Sequence, residues 1–424
     1  MKMTPRSVHT IPGSAPRARE STAQWLSRQK RDIRESSFAL VLSILTGIGA
    51  GLVLGHAQET LLLLPGLVIL IPAAMGMRGS IGAALGSRIA TGLHLGTIST
   101  FSAANKTVRA NVYAALMLSI LLSVFLAFLS KSLSDAFGLA SISLSSFIVI
   151  SVIGGTIAGL VLVAVTFATA VASYRRGWDL DNIQAPLITA AGDLFTIPSL
   201  LFAAYLTQMY SSSVDEAALA ILAGCGLMVA YLILKKDMHP DSYRTIVVQS
   251  VLVLAAAGTI DAVAGGLLEG RIQNLATVPV LLVLLPVFLE EGGNIGNTLA
   301  SRLSTKLHLG TISTRMKLTV SLKREFMLSF LLSLFIFPLT GLLVYAASAL
   351  AGVNGIAPGK LVLVTAVSGY VLTAVIMATT YLISVWSYRY NFDPDSTTIP
   401  IVTALADILG VLVLLSVASS FGIF

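Results

Sequence analysis

The chain has 424 residues, of which 55% are hydrophobic and only 11% charged, with a mean hydropathy of +0.88. A soluble protein carries about 25% charged residues, so a soluble globule of this length is excluded, as are a disordered chain and a coiled coil. The net charge of +7, from 27 Lys+Arg against 20 Asp+Glu, therefore has to be read as membrane topology and not as nucleic-acid binding.

In chain order, residues 1–36 come first, a basic tail with eight Lys/Arg and with Pro5, Pro12 and Pro16. No apolar core precedes Phe38, so the tail is not expected to be a signal peptide. Eleven apolar segments follow, at 37–56, 60–77, 110–130, 142–172, 186–209, 217–234, 246–268, 276–290, 325–350, 361–386 and 398–422. Stretches of about 20 uncharged apolar residues are spanning helices, and the alternation of an outer-membrane barrel is absent. The second and eighth segments are short and are expected to run on into the semi-polar residues after them. The expected class is an all-α polytopic membrane protein. Its single cysteine, Cys225, allows no internal disulfide and no cysteine metal site.

With the N-terminus inside, the cytoplasmic side receives 24 of the 27 basic residues, and the outside only Lys131, Arg271 and Lys360. Such a split predicts N-in, C-out in a cell membrane. It counts Arg78 as cytoplasmic and leaves no cation inside a span.

The chain also repeats itself. A shift of 214 residues aligns SRIATGLHLGTIST (87–100) with SRLSTKLHLGTIST (301–314), identical at eleven of fourteen positions. The same shift aligns 173–193 with 387–407, so each repeat has five spans. Five is odd, and the extra segment 217–234 restores parity, so both repeats enter the membrane from the same side. The expected relation is a pseudo-two-fold axis along the membrane normal. The expected divisions are a tail (1–36), a first repeat (37–209), a linking helix (210–245) and a second repeat (246–424). A monomer then suffices, because the repeat replaces a homodimer.

Asp193 and Asp407 are equivalent by this shift and lie about two turns into their segments. An intramembrane acid costs about 2.5–3.5 kcal/mol on insertion scales, so it needs a cavity, a partner or a ligand. Pro186, Thr189 and Asp193 recur as Pro400, Thr403 and Asp407 at spacing i, i+3, i+7, one helix face. That face predicts an ion or proton site. Asn294, Asn297, Thr298, Ser301, Thr305 and His308 form a polar stripe, thinner in the first repeat at Ser80, Ser87, Thr91 and His94. Such a stripe lines a cation path or joins helices. Glu290 and Glu291 have no acidic counterparts, and Asp261 aligns with Gly47. These acids are candidates for gating or for a coupling site. Arg78, aligned with Gly292, is expected to pair with Glu290 or Glu291. Asp179, Asp181, Asp393 and Asp395 are either first-turn helix acids or an acidic vestibule. Arg88 and Arg302 fit snorkelling at the interface. No Walker A run is present, so no nucleotide partner is expected.

GlyGlyAsnIleGlyAsn at 292–297, with Pro286 before it, resembles the second membrane helix of the MgtE magnesium-transport family, and residues 393–410 resemble its last. AlaSerArgLeuSerThr (300–305), AspLeuAspAsn (179–182) and GlyAspLeuPheThr (192–196) resemble the animal relatives, solute carrier family 41. The resemblance implies a Mg²⁺ pathway on the two-fold axis with Asp193 and Asp407 as central ligands and carbonyls from Thr189 and Thr403. It implies a transporter or channel, and no enzyme. MgtE-type proteins usually carry a cytosolic CBS sensing region, and the 36-residue tail is too short to be one. Mg²⁺ dehydrates reluctantly and takes one or two carboxylates plus waters, and Mn²⁺ or Co²⁺ can pass a water-mediated site. The alternatives are a secondary carrier for an organic substrate and an intramembrane aspartyl protease. The latter lacks its Tyr-Asp partner and Pro-Ala-Leu motif here.

Overall fold

The computed structural model describes residues 30–94, 105–176, 180–234, 243–312, 318–353, 355–390 and 394–423. All regular structure among them is helical. The first repeat comprises α1 (Lys30–His56), the short α2 (Gln58–Leu63), α3 (Leu67–His94), α4 (Lys106–Ala136), α5 (Leu144–Arg176) and α6 (Leu180–Met209). A 3₁₀ turn (Ser211–Ser213) leads into the linking helix α7 (Val214–Leu234). The second repeat is α8 (Tyr243–Glu269), short α9 (Ile272–Thr277), α10 (Pro279–His308), α11 (Val320–Leu350), α12 (Pro358–Arg389) and α13 (Pro394–Ser420). Among the described residues, ten helices are long and apolar enough to cross a membrane, and α1 adds the shorter apolar stretch Leu40–His56. The chain is a polytopic all-α membrane protein.

The 214-residue shift survives as geometry. It maps both ends of α2 onto those of α9, and both ends of α4 onto those of α11. The local signals map too. The N-cap of α4, Asn105, accepts from the Thr107 and Val108 amides at 2.9 and 3.3 Å, and the N-cap of α11, Thr319, accepts from the Leu322 amide at 3.2 Å. Both helices stop at a left-handed glycine, Gly138 (φ 64°) and Gly352 (φ 72°).

The second and eighth segments run on as expected, to His94 and His308. Their starts differ from the sequence reading. Each apolar run holds the end of a short helix, a break, and the start of the long helix, because Gly66 (φ 87°) breaks one and Pro279 opens the other.

The first helix of each repeat packs on the other repeat. Helix α1 lies along α10 and α11, and α8 lies along α3 and α4, while each also touches the last helix of its own repeat. Glycine permits these crossings. A Cβ on Gly51 would overlap the Val283 backbone of α10, and a Cβ on Gly265 would sit 2.6 Å from the Ile69 carbonyl of α3. Gly51 and Gly265 are equivalent, as are Ile69 and Val283, so one close approach is made twice. Helix α7 packs mainly on α5 and leaves Leu219, Leu227, Ile233 and Leu234 exposed, a face suited to lipid.

Candidate functional site

The two long helices that follow the swapped ones, α3 and α10, flank a cavity of about 270 Å³. Its lining obeys the repeat. Pro72, Gly79 and Ser80 of α3 face the space with their equivalents Pro286, Gly293 and Asn294 of α10, and Asp193 of α6 with Asp407 of α13. The pseudo-axis therefore passes through the cavity. Each proline removes the helical bond to the carbonyl four residues earlier. Those carbonyls belong to Val68 and Leu282, both lining residues. The lining thus combines carboxylates and neutral side-chain oxygens with two residues whose carbonyls lack a helical partner. Among the described residues, no Lys, Arg, His or aromatic residue is in the lining.

Asp193 reaches the cavity because α6 crosses α3 closely. The residue before it is Gly192, whose Cβ would lie 3.3 Å from the Gly79 amide nitrogen. Asp193 is 6% exposed and within electrostatic reach of Glu290 and Asp407. Thr403 lines the cavity, and its Oγ1 lies 3.0 Å from both Asn297 Oδ1 and the Ile399 carbonyl, the two acceptors open to its one hydroxyl hydrogen. Asn294 Nδ2 donates to Ser43 Oγ of α1 at 2.9 Å. The asparagines therefore both line the cavity and join helices.

The acids divide. Glu290 faces the cavity. Glu291 is fully buried behind it, beside Ser43 and Asn294. Asp261 is 5% exposed and lies against Gly76 of α3, within reach of Asp407. Among the described residues, no three His, Cys, Asp or Glu converge on one metal position. Asp179 and Asp393, and the side chains of Asp181, Asp395 and Thr189, lie outside the described residues.

Three expectations are corrected. Arg78 is not cytoplasmic: it sits within the spanning part of α3 and is 1% exposed. Nor does it pair with Glu290 or Glu291. It turns away from the cavity and donates to the Ser119 carbonyl (3.2 Å) and Ser123 Oγ (2.5 Å) of α4. Gly155 of α5 makes the room, because a Cβ there would overlap the guanidinium. Arg302 does not simply snorkel. It and Lys306 pair with Glu325 of α11, which is 4% exposed, Arg302 at 3.6 Å. Sequence reading missed Glu325, whose equivalent is Asn111. An acid present in one repeat alone was its only signal.

The family model for MgtE, described as a divalent cation transporter, matches residues 71–203 and 285–417. These two stretches are themselves 214 residues apart, and they include most of both cavity helices and both aspartates. Solute carrier family 41 member 2 of Xenopus laevis is 27% identical over 90% of this chain and 72% of its own length. The Homo sapiens member 2 is 27% identical over 89% and 70%, and the Mus musculus member 3 is 25% identical over 87% and 78%. No solved structure matches the chain. A model that matches the same helices twice, around one shared cavity, accounts for most of the chain: the protein belongs to the MgtE family of divalent cation transporters.

Proposed function

We propose that the protein carries Mg²⁺ across the cell membrane through the cavity between its two repeats. Asp193 and Asp407 would hold the ion, assisted by Thr403 and, at the equivalent place, Thr189. The observation that carries this reading is the lining. Two equivalent aspartates face one space on the pseudo-axis, and among the described residues no Lys or Arg lines it to neutralise them. A buried charge without a partner is expensive, and a passing cation supplies the missing partner. Two carboxylates amid neutral oxygens suit an ion that keeps several waters, so Mn²⁺ and Co²⁺ would pass as well. An aromatic-free lining offers little to an organic cation, which disfavours the organic carrier.

The distribution of basic residues supports a cytoplasmic N-terminus and an outer C-terminus, with Arg78 now removed from the count. The two repeats together supply both halves of the cavity, so one chain would suffice for transport.

The test is Mg²⁺ flux in proteoliposomes. Asp193→Asn and Asp407→Asn should each lower it about tenfold or more. Wild-type flux in both variants would sink the proposal. Imposed Na⁺ and H⁺ gradients separate a channel, whose flux ignores them, from a coupled exchanger.

A further inference from the structure

Helices α1 and α8 each lay a row of residues, four apart, on the opposite repeat. On α1 the row is Gly47, Gly51 and Gly55, and on α8 its equivalents are Asp261, Gly265 and Glu269. The middle glycine is kept in both, because the helix backbones touch there. The outer two differ. Glu269 has a structural role: its carboxylate accepts from the Gly66 and Val68 amides at 2.7 and 3.2 Å and so caps α3. Its equivalent on α1, Gly55, has no side chain to cap α10 and lies instead against Val283.

Asp261 has no such capping task. It lies over Gly76 of α3, where a Cβ would come 2.5 Å from its Oδ2. At the equivalent crossing of α1 on α10 the acid is on the other helix. Glu290 Oε2 lies 3.1 Å from where a Cβ on Gly47 would be, and this buried oxygen has no hydrogen-bond partner. Gly47 is the equivalent of Asp261, and Gly76 the equivalent of Glu290. Each crossing therefore holds one carboxylate and one glycine, placed on opposite helices. The asymmetry of the sequence is compensated in space, since each side of the pseudo-axis receives one additional acid. Glu290 lines the cavity with Asp193 and Asp407, and Asp261, set behind the lining residue Gly76, is within electrostatic reach of Asp407. Among the described residues, no three acids meet at a point.

We infer that Asp261 and Glu290 are one ligand position reached from opposite helices. They make the cavity a pair of two-carboxylate subsites for divalent cations, Glu290 with Asp193 and Asp261 with Asp407. Two carboxylates match the coordination of a partly hydrated divalent ion. The inference rests on the reading of the cavity as the cation path and adds its occupancy and the origin of its second ligands.

The experiment uses the full chain and Mn²⁺ as probe. Electron paramagnetic resonance of purified protein should count two bound Mn²⁺ per chain, and one in Glu290→Gln and in Asp261→Asn. A single Mn²⁺ in the wild type, or an unchanged count in either variant, overturns the inference. Uptake in proteoliposomes supplies the register test. Glu290→Gly should lower it about tenfold or more. Adding Gly47→Asp, which gives α1 the side chain that α8 carries, should recover most of the loss, while Gly47→Asn should not. Failure of this rescue in a folded protein overturns the equivalence. If that variant does not fold, the Mn²⁺ count decides alone. Asp193→Asn and Asp407→Asn, measured alongside, keep the two readings apart. Wild-type uptake in these rejects the cavity as the path, whereas their loss together with a failed rescue rejects only the equivalence.

Discussion

Arg78 shows how a single side chain can be assigned to the wrong side of a helix. An arginine aligned just after two glutamates of the other repeat invites an ion pair. In the fold it is held by Ser119 and Ser123 of α4, in space left by Gly155, facing away from the cavity. Its guanidinium therefore neutralises none of the cavity acids. Charge reversal follows from this: Arg78→Glu combined with Glu290→Arg should restore neither flux nor melting temperature lost in Arg78→Glu alone. Recovery of either would revive the pair. Glu325 is the contrasting case, a buried acid that does have partners. Glu325→Asn, which copies Asn111 of the first repeat, strands Arg302 and Lys306. Breaking a buried pair costs about 3–5 kcal/mol, and half-exposed cations reduce this, so a loss of about 2 kcal/mol is expected. The drop in melting temperature of the detergent-solubilised protein measures it.

Among the helices, the decisive event is the exchange of α1 and α8 between repeats. It depends on two equivalent glycines, at each of which a backbone replaces a side chain as the neighbour. Gly51→Leu or Gly265→Leu should cost about 3 kcal/mol or more, because Val283 and Ile69 present main chain that cannot rotate away. Gly224→Leu in the linking helix α7 is the control, since a Cβ there meets nothing within 4 Å. Size-exclusion profiles should show aggregation for the first two and a wild-type peak for the third. An unperturbed Gly51→Leu would mean that the crossing is looser than drawn. The same exchange carries the chemistry. Helices α1 and α8 press acids or glycines onto α10 and α3 at the level of the cavity, so the fold of the elements and the charge of the site are set at one seam.

For the molecule as a whole, two repeats build one internal space, and the short helices α2 and α9 meet at one end of it. Leu61 and Leu275, equivalent and fully buried, sit on those helices, and Leu61 lines the cavity. An apolar constriction in an ion path holds ions back by excluding water. Leu61→Asn with Leu275→Asn should therefore raise Mg²⁺ leak through proteoliposomes several-fold, and an unchanged leak would place the barrier elsewhere. Much of this plan was legible without coordinates. Hydropathy marked the spans, since a bilayer admits only internally bonded helices, and one constant shift of 214 residues revealed both the duplication and the equivalence of Asp193 and Asp407. What could not be read was which surfaces meet. The shift pairs Asp261 with Gly47 and Glu290 with Gly76, and it is silent on Asp261 lying over Gly76 and Glu290 over Gly47. The direction of Arg78, the partners of Glu325 and the breaks before α3 and α10 were hidden for the same reason. Periodicity and composition act along the chain and determine which segments are helices and which positions are equivalent. Contacts between helices far apart in sequence depend on close packing, on where a glycine lets two backbones touch, and only the tertiary structure decides that.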